Sequence, residues 1–215
     1  MNRFRIGEFT EEDEETLKKR VTLEPFLEQD AAHVMYTNKE VTQHNQKMID
    51  SSNAKEFILT AIKTVPKGYT CKVDKDTGNI DKTNFKDKLV IKIGVRVSLV
   101  FNINTVDELV NGALGTVIAL ESNSEGNVES IIVQFDQDSA GFQQREKYKK
   151  ISNKYKERNG TPIFRHELEY QIISSRGTAH AAKAKILQFP FCLAWGFTSH
   201  KMQVNIHFFY YSKKK

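Results

Sequence analysis

A short segment near the end of the chain, positions 198–203, carries the side chains best suited to chemistry. It reads Thr-Ser-His-Lys-Met-Gln, so that the hydroxyl of Thr198, the imidazole of His200 and the ammonium group of Lys201 lie close together in sequence. Side chains of these types bind phosphate oxygens, in a manner that ignores base sequence and weakens as salt rises. These side-chain types are suited to phosphate binding, but Lys201 alone would carry little weight, and only its place in an ordered set of motifs raises it.

A second candidate is a basic segment at positions 145–158, whose charge of +5 equals the net charge of the whole chain. It contains two acids, two tyrosines and seven bases, which are Arg145, Lys147, Lys149, Lys150, Lys154, Lys156 and Arg158. Clustered cations with aromatic rings can bind phosphates and stack on bases. Two interpretations stay open: a nucleic-acid contact through Lys149 and Lys150, or a solvated lysine-rich loop or helix, which is the simpler of the two.

Sequence patterns of nucleotide-binding and hydrolytic enzymes do not occur in the chain. There is no G-x-x-x-x-G-K-[ST] loop to cradle phosphates and no G-x-S-x-G elbow. His166-Glu167 begins like the zinc motif H-E-x-x-H, but Tyr170 stands where the second histidine should be. Cys71 and Cys192 belong to no C-x-x-C pair, so reduced thiols are expected. The sequence predicts no catalytic residue, metal or other cofactor in this chain.

The composition is that of an ordinary intracellular protein. Hydrophobic residues make up 39% of the chain and charged residues 27%, and no apolar run reaches the roughly 18 residues that a membrane span needs. The first twenty residues are rich in acids, whereas transit peptides are poor in acids and signal peptides need an apolar centre. An intracellular location is therefore the expectation.

The elements that must position these side chains begin with an α/β unit. Thr10 precedes a run of acids and predicts the cap of a short helix. The apolar run at 31–37 indicates a buried strand, and Asn38 then predicts the cap of a helix over 39–50. The inner face of that helix carries Val41, Asn45, Met48 and Ile49. A strand, a cap and a helix in this order are typical of an α/β sheet.

The middle of the chain predicts turns and then short strands. Positions 53–88 are rich in turn residues and indicate a loop-rich connector. From 89 to 173 short β-rich runs recur, with Asn111-Gly112 as a tight turn and a second turn at 122–127. This recurrence predicts a small barrel. Farther along, the side chains expected in the core rather than on a base-stacking surface are Phe191, Leu193, Trp195 and Phe197.

Three motifs occur in order along the chain. The first is Tyr36-Thr-Asn38 followed by His44-Asn45. The second is Gly94-Val-Arg-Val-Ser-Leu-Val-Phe-Asn102, then Leu109-Val-Asn-Gly-Ala-Leu-Gly-Thr-Val117 and Val133-Gln-Phe-Asp136, and the third is Phe189-Pro-Phe-Cys-Leu-Ala-Trp-Gly-Phe-Thr-Ser-His-Lys-Met-Gln203. In this order the motifs resemble the RecD/Pif-like branch of superfamily-one DNA helicases, which includes the helicases of Helitron transposons. The resemblance runs from about Arg3 to Gln203.

The resemblance implies a mixed α/β fold, in which part of a second RecA-like helicase domain carries an inserted small antiparallel β-barrel of the Src-homology type. The implied segments are 1–52 for the RecA-like part, 53–88 for the connector, 89–185 for the barrel, 186–204 for the return to the RecA-like domain, and 205–215 for a divergent tail. Gly112 and Gly115 would allow the tight turn between barrel strands.

The resemblance also implies contacts and a reaction for a full-length parent. Asn38 would lie near the single-stranded DNA track, Thr198, His200 and Lys201 would contact the DNA backbone, and Gln203 would link them to the nucleotide site. The parent would use ATP and magnesium to move 5′-to-3′ on single-stranded DNA. Members of this family act in DNA repair, recombination and telomere maintenance, which implies a nuclear location.

Departures from the family pattern bear on what the chain does alone. Val204 stands where a glycine is expected after Gln203, and no later element supplies the arginine that would reach the γ-phosphate. The sequence also contains no phosphate-binding loop, which in this family belongs to the first motor domain. We therefore expect a truncated helicase that hydrolyses no ATP and binds single-stranded DNA weakly. Its other partner would be the missing first RecA-like domain, and no membrane is implied.

Two alternatives belong to other functional classes. A detached small barrel could serve as a protein-interaction module that never touches DNA. The chain could also be a relic of a decayed mobile element without function, in which case an unpaired lobe would expose apolar surface and aggregate.

Overall fold

The computed structural model describes residue 8 and residues 10–19, 33–173 and 181–198. The chain divides into two compact units, at positions 1–31 and 32–215. In the first unit, helix α1 (Glu11–Lys18) begins after Thr10, whose hydroxyl accepts from the amide of Asp13 at 3.3 Å. The predicted amino-terminal helix is therefore confirmed. Within the described residues, no helix is long and apolar enough to cross a membrane.

The second unit combines short helices with several small sheets. Its described helices are α2 (Asn38–Asp50), α3 (Phe142–Lys147), α4 (Lys149–Ser152) and a 3₁₀ helix (Asn153–Arg158). Its described strands are β1 (His33–Met35), β2 (Glu56–Thr60), β3 (Ile62–Thr64), β4 (Lys88–Lys92), β5 (Arg96–Leu99), β6 (Leu114–Ser122), β7 (Val128–Phe135), β8 (Thr161–Phe164), β9 (His166–Ile173), β10 (Ala181–Gln188), β11 (Phe191–Leu193) and β12 (Gly196–Thr198). The mixed α/β class is confirmed.

Helix α2 begins at a reciprocal cap. The Thr37 hydroxyl accepts from the amide of Glu40 at 3.2 Å, and the Glu40 carboxylate accepts from the Thr37 amide at 2.8 Å. The Thr37 amide and hydroxyl lower the pKa of the Glu40 carboxyl group. The prediction that Asn38 caps the helix is wrong by one residue, because Thr37 and Glu40 form the capping pair and Asn38 becomes the first helical residue.

Strand β1 pairs in parallel with β12, which places Met35 beside Thr198. The predicted strand is present but not buried, since Val34 at its centre is 56% exposed. Side chains alternate across a strand, so His33, whose ring lies 4.5 Å from that of His44 in α2, occupies the covered face and Val34 the open one.

The largest sheet has the order β11-β5-β6-β7-β8, with antiparallel neighbours. The turn predicted at 122–127 is present and joins β6 and β7 into an antiparallel hairpin; the Asn123 amide closes the turn by donating to the Asn127 carbonyl at 2.9 Å. A closed barrel is not found among the described residues. The physical reason is that β10 pairs with β9 on one side and with β3 on the other, so that β8 and β11 remain the two ends of an open sheet.

The segment 53–88 is more ordered than a loop-rich connector. Strand β2 pairs antiparallel with β4, and β3 pairs with β10, whereas the rest of the segment consists mainly of turns. Ile80 and Phe85 in these turns are 0% and 1% exposed. The sequence does not predict β2 and β3, because both strands are too short to show a clear alternation of apolar and polar residues. Strand β3 is also exposed at every position.

Packing agrees with the predicted core near the end of the chain. Phe191, Phe197 and Trp195 are 0%, 3% and 9% exposed, whereas Leu193 is only half-buried. Phe191 and Trp195 belong to one buried cluster, and Leu193 packs against it. The cluster also includes Leu89, Ile91, Val95, Val97, Leu99, Val117, Ile131, Val133 and Phe189, most of which come from the strands of the largest sheet and from β4. Burial of these side chains is the main force that holds the strands together.

The two glycines expected in one tight turn have different roles. Gly112, with φ of 95°, lies in a turn closed by the Ala113 amide, which donates to Val110 at 3.0 Å, at the end of the long connection between β5 and β6. Gly115 lies inside β6, where a Cβ atom would come within 2.6 Å of the Gln134 carbonyl oxygen. The turn role predicted for Gly115 is wrong: the position needs glycine because β7 approaches too closely for a side chain.

We predict that Gly115→Ala lowers the free energy of unfolding by about 3 kcal/mol, since the added methyl group must push β7 away. The matched control is Gly126→Ala, where φ is 83° but open space surrounds the Cβ position, so a loss of only about 1 kcal/mol is expected. Urea unfolding monitored by circular dichroism measures both. Equal losses in the two variants would contradict the steric explanation.

Candidate nucleic-acid interface

One side chain of helix α2 holds the last described strand in place. The amide nitrogen of Asn45 donates to the carbonyl oxygens of Leu193 and Gly196, each at 3.3 Å. Its oxygen accepts from the backbone amides of Trp195 and Gly196, at 3.1 and 2.8 Å. We name this set of bonds the Asn45 clamp. Asn45 is 6% exposed, so loss of its side chain would leave buried backbone groups without partners.

The clamp brings two predicted contact residues, Asn38 and Thr198, to one cleft of about 280 Å³. Asn38 opens helix α2 shortly after β1 ends, and Thr198 ends β12 beside Met35. The carboxyl ends of two parallel strands therefore meet at this edge, which is where ligands bind in α/β sheets. We name this depression the 38/198 cleft.

Other parts of the cleft lining come from the loop at 77–86 and the start of β4. They include Asn79, whose side-chain oxygen is buried and has no hydrogen-bond partner among the described residues, and the exposed Lys88. Amide groups and a lysine suit the sugar–phosphate backbone and base edges of a nucleic acid. Nothing in the sequence marks these residues, because asparagine and lysine in a loop resemble ordinary turn residues.

His44, from the same motif as Asn38, supports the cleft rather than facing it. Its ring packs so closely on Gly196 that a Cβ atom there would lie 3.1 Å from the His44 ring carbon Cδ2. The ring nitrogen Nε2 is buried and has no hydrogen-bond partner among the described residues. Burial lowers the pKa of His44, with smaller contributions from His33 and Lys47. The structure therefore favours a neutral imidazole at this position.

The basic segment divides into cations that support the fold and cations that face solvent. Arg145 belongs to the first kind: it donates to the carbonyl oxygens of Ala140 and Asp138 at 2.7 and 3.0 Å, and to the Thr161 hydroxyl at 2.8 Å. Burial lowers the pKa of its guanidinium, and Asp107 and Asp138 counteract the shift. Arg145 is therefore committed to the loop that precedes β8.

Lys149 and Lys150 belong to the second kind and lie on α4. Lys149 is 65% exposed and lies 3.3 Å from the carboxylate of Glu146. Lys150 is exposed and makes no hydrogen bond or ion pair with another described residue. Neither side chain lines the 38/198 cleft, so the described structure places the predicted contact residues in two groups.

The two tyrosines of the basic segment are engaged in packing. The Tyr148 ring lies 4.4 Å from that of Phe164. The Tyr155 hydroxyl donates to the Glu121 carboxylate at 2.6 Å, and burial together with this bond raises the pKa of Tyr155 to about 12. Bonds from Lys154 and Tyr155 lower the pKa of Glu121. Neither ring is therefore free to stack on a base as the sequence pattern suggested.

The remaining predicted site residues, His200, Lys201 and Gln203, lie outside the described residues. Among the residues that the structure describes, no group of three histidine, cysteine, aspartate or glutamate side chains could hold a metal ion.

Comparisons with known proteins identify the fold. No protein-family profile and no curated protein sequence matches the chain. Solved Pif1 structures do match: Bacteroides Pif1 bound to single-stranded DNA has a TM-score of 0.57 and 18% identity, over 94% of this chain and 38% of that chain. Bacteroides Pif1 with ADP-AlF4 has a TM-score of 0.57 and 18% identity, over 94% of this chain and 39% of that chain. The Candida albicans Pif1 helicase has a TM-score of 0.56 and 18% identity, over 94% of this chain and 43% of that chain.

These matches confirm the predicted helicase resemblance at the level of the fold: the chain has the fold of part of a Pif1 helicase. The chain spans about two fifths of the length of the solved structures that it matches.

We predict that Asn45→Ala lowers the free energy of unfolding by about 3 kcal/mol, because it leaves the buried Trp195 and Gly196 amides without partners. The control is the neighbouring Gln46→Ala, an exposed side chain whose one hydrogen bond within the described part of the chain is to Asp50, so a change within about 0.5 kcal/mol is expected. Trp195 is the sole tryptophan and reports unfolding by its fluorescence. Similar losses in both variants would show that the clamp contributes little.

We also predict that stability falls as the pH drops from about 7.5 to about 5.5. The folded state lowers the pKa of His44 below the ordinary 6.5, so in this range the unfolded chain binds more protons than the folded chain. His44→Gln should therefore reduce the loss, measured as the shift in urea midpoint between the two pH values. Burial also lowers the pKa of His166, so part of the loss should persist. A variant as pH-sensitive as the parent chain would refute the role of His44.

Proposed function

We propose that this chain, whose fold is that of part of a Pif1 helicase, is the segment of an ATP-dependent DNA helicase that holds single-stranded DNA in the 38/198 cleft. The observation that carries the proposal is the meeting of Asn38 and Thr198 at the carboxyl edge of a parallel strand pair. Asn38 belongs to the first and Thr198 to the third of the sequence motifs that resemble helicases, so the fold brings together residues far apart in the chain. One of the solved Pif1 structures with this fold is bound to single-stranded DNA, which supports this ligand.

The contacts of the proposed complex follow from the side-chain types. The Asn38 amide and the Thr198 hydroxyl would donate to phosphate oxygens, and Lys88 at the cleft would add a charge. Lys149 and Lys150 would contact a more distant part of the strand. His200 and Lys201 would extend the contact beyond Thr198, in agreement with their motif.

The activity of the parent protein is also part of the proposal. It would couple ATP hydrolysis, with magnesium, to 5′-to-3′ movement in the nucleus, and Gln203 would link the DNA contact to the nucleotide site. The chain by itself would hydrolyse no ATP, since its sequence contains no phosphate-binding loop.

Salt-dependent binding tests the proposal. We expect the chain to bind a labelled single-stranded oligothymidylate at low salt, measured by fluorescence anisotropy. Asn38→Ala with Thr198→Val should weaken binding about tenfold and leave the salt slope unchanged, because neutral groups release no counterions. Lys149→Ala with Lys150→Ala should reduce that slope by about 1.4, which corresponds to two lost phosphate contacts on a single strand.

Matched controls separate these contacts from a general effect of charge. Lys18→Ala with Lys19→Ala removes two exposed lysines at the end of helix α1 and just after it, and should change neither affinity nor slope appreciably. In contrast to this control, His200→Ala with Lys201→Ala tests the motif residues and should weaken binding and flatten the salt dependence. The proposal fails if the chain does not bind at low salt, or if the cleft pair behaves like the α1 control.

A further inference from the structure

Two large apolar side chains project into solvent from adjacent segments beside the basic segment. Phe142, at the start of helix α3, is 62% exposed, and Val106, in the connection between β5 and β6, is 78% exposed. Hydrogen bonds between their sequence neighbours join the two segments: the Gly141 amide donates to the Asp107 carbonyl oxygen at 2.8 Å. We name Val106 and Phe142 together the apolar tip.

The backbone below the apolar tip is held firmly. The buried Asp107 carboxylate accepts from the amide of Gln143 at 2.7 Å and from that of Gln144 at 2.9 Å, so it caps helix α3 from another segment. Gly141 adopts φ of 79°, and a Cβ atom there would come within 2.5 Å of the Thr161 side chain. The position of the Phe142 backbone is thus set before any ligand binds, which reduces the entropy lost on binding.

The surroundings of the apolar tip indicate its ligand. Helix α3 runs from Phe142 to Lys147, a rise of about 7.5 Å, and leads directly to the exposed Lys149 and Lys150 on α4. An exposed aromatic ring and exposed lysines this close together in the chain suit a single strand, in which bases stack on rings and phosphates contact cations. A purely apolar protein partner would gain nothing from these charges.

We propose that Phe142 is a base-stacking residue for the single strand whose phosphates contact Lys149 and Lys150, with Val106 as a second apolar contact to the same base. This inference rests on the proposed function and adds a site to it. Because Tyr148 and Tyr155 are engaged in packing, Phe142 takes the stacking role that the sequence pattern assigned to the tyrosines of the basic segment.

Removal of the bases tests this inference directly. We expect Phe142→Ala to weaken binding of an oligothymidylate about tenfold, within the range for loss of one stacked base. Binding of an abasic oligomer of the same length and charge should be the same for the variant and the parent chain, because that oligomer offers no base to stack. Val106→Ala should show the same pattern with a smaller loss. Equal losses on the two oligomers would overturn the proposal.

Two controls guard against a change in folding or in general surface hydrophobicity. Phe142→Trp keeps a stacking surface and should bind at least as tightly as the parent chain. Ile58→Ala removes an apolar side chain of β2 that is 59% exposed and should bind normally. The outcomes also separate the two proposals. No binding by the parent chain refutes the proposed function itself, whereas lysine-dependent binding that ignores Phe142 refutes only the stacking role.

Discussion

The position of β12 against helix α2, and with it one side of the 38/198 cleft, depends on the Asn45 clamp, which joins residues 148 to 151 positions apart in the chain. Closing so long a loop costs conformational entropy, and the bonds of one buried amide offset part of that cost. The His33 amide adds a bond of 2.8 Å to the Trp195 carbonyl oxygen, so that β1 and β12 keep their parallel register. The clamp and the strand pairing together keep the carboxyl ends of β1 and β12 at the 38/198 cleft.

Buried polar groups hold the other small sheets together in a similar way. The amide nitrogen of Gln188 donates to the carbonyl oxygens of Leu59 and Lys86, at 2.7 and 3.1 Å, and its oxygen accepts from the Phe189 amide at 2.9 Å. The buried ammonium group of Lys92 likewise caps the carboxyl end of helix α2. Sheets of two or three strands bury little apolar surface, so satisfied polar groups between them determine how they are arranged.

Positive charge in this chain serves both folding and the proposed binding. Within the basic segment, Arg145 and Lys154 are bound to oxygen atoms of the fold, whereas Lys149 and Lys150 face solvent on α4. A charge count over the segment therefore overstates the surface that a nucleic acid could contact. The proposed binding surface combines a few solvent-facing lysines with Phe142, which lies just before the basic segment in the chain.

The sequence by itself determined features that depend on near neighbours: the amino-terminal helix, the hairpin of β6 and β7 and the buried aromatic residues near the end. Caps, turns and apolar runs act over a few residues, and for this reason they can be predicted. Motif order also selected Asn38 and Thr198. Only the tertiary structure decided that these residues share a cleft with Asn79 and Lys88, that the largest sheet stays open, and that Gly115 has no room for a side chain. Each of these depends on which distant strands pair and how closely they approach, and local sequence does not specify that pairing.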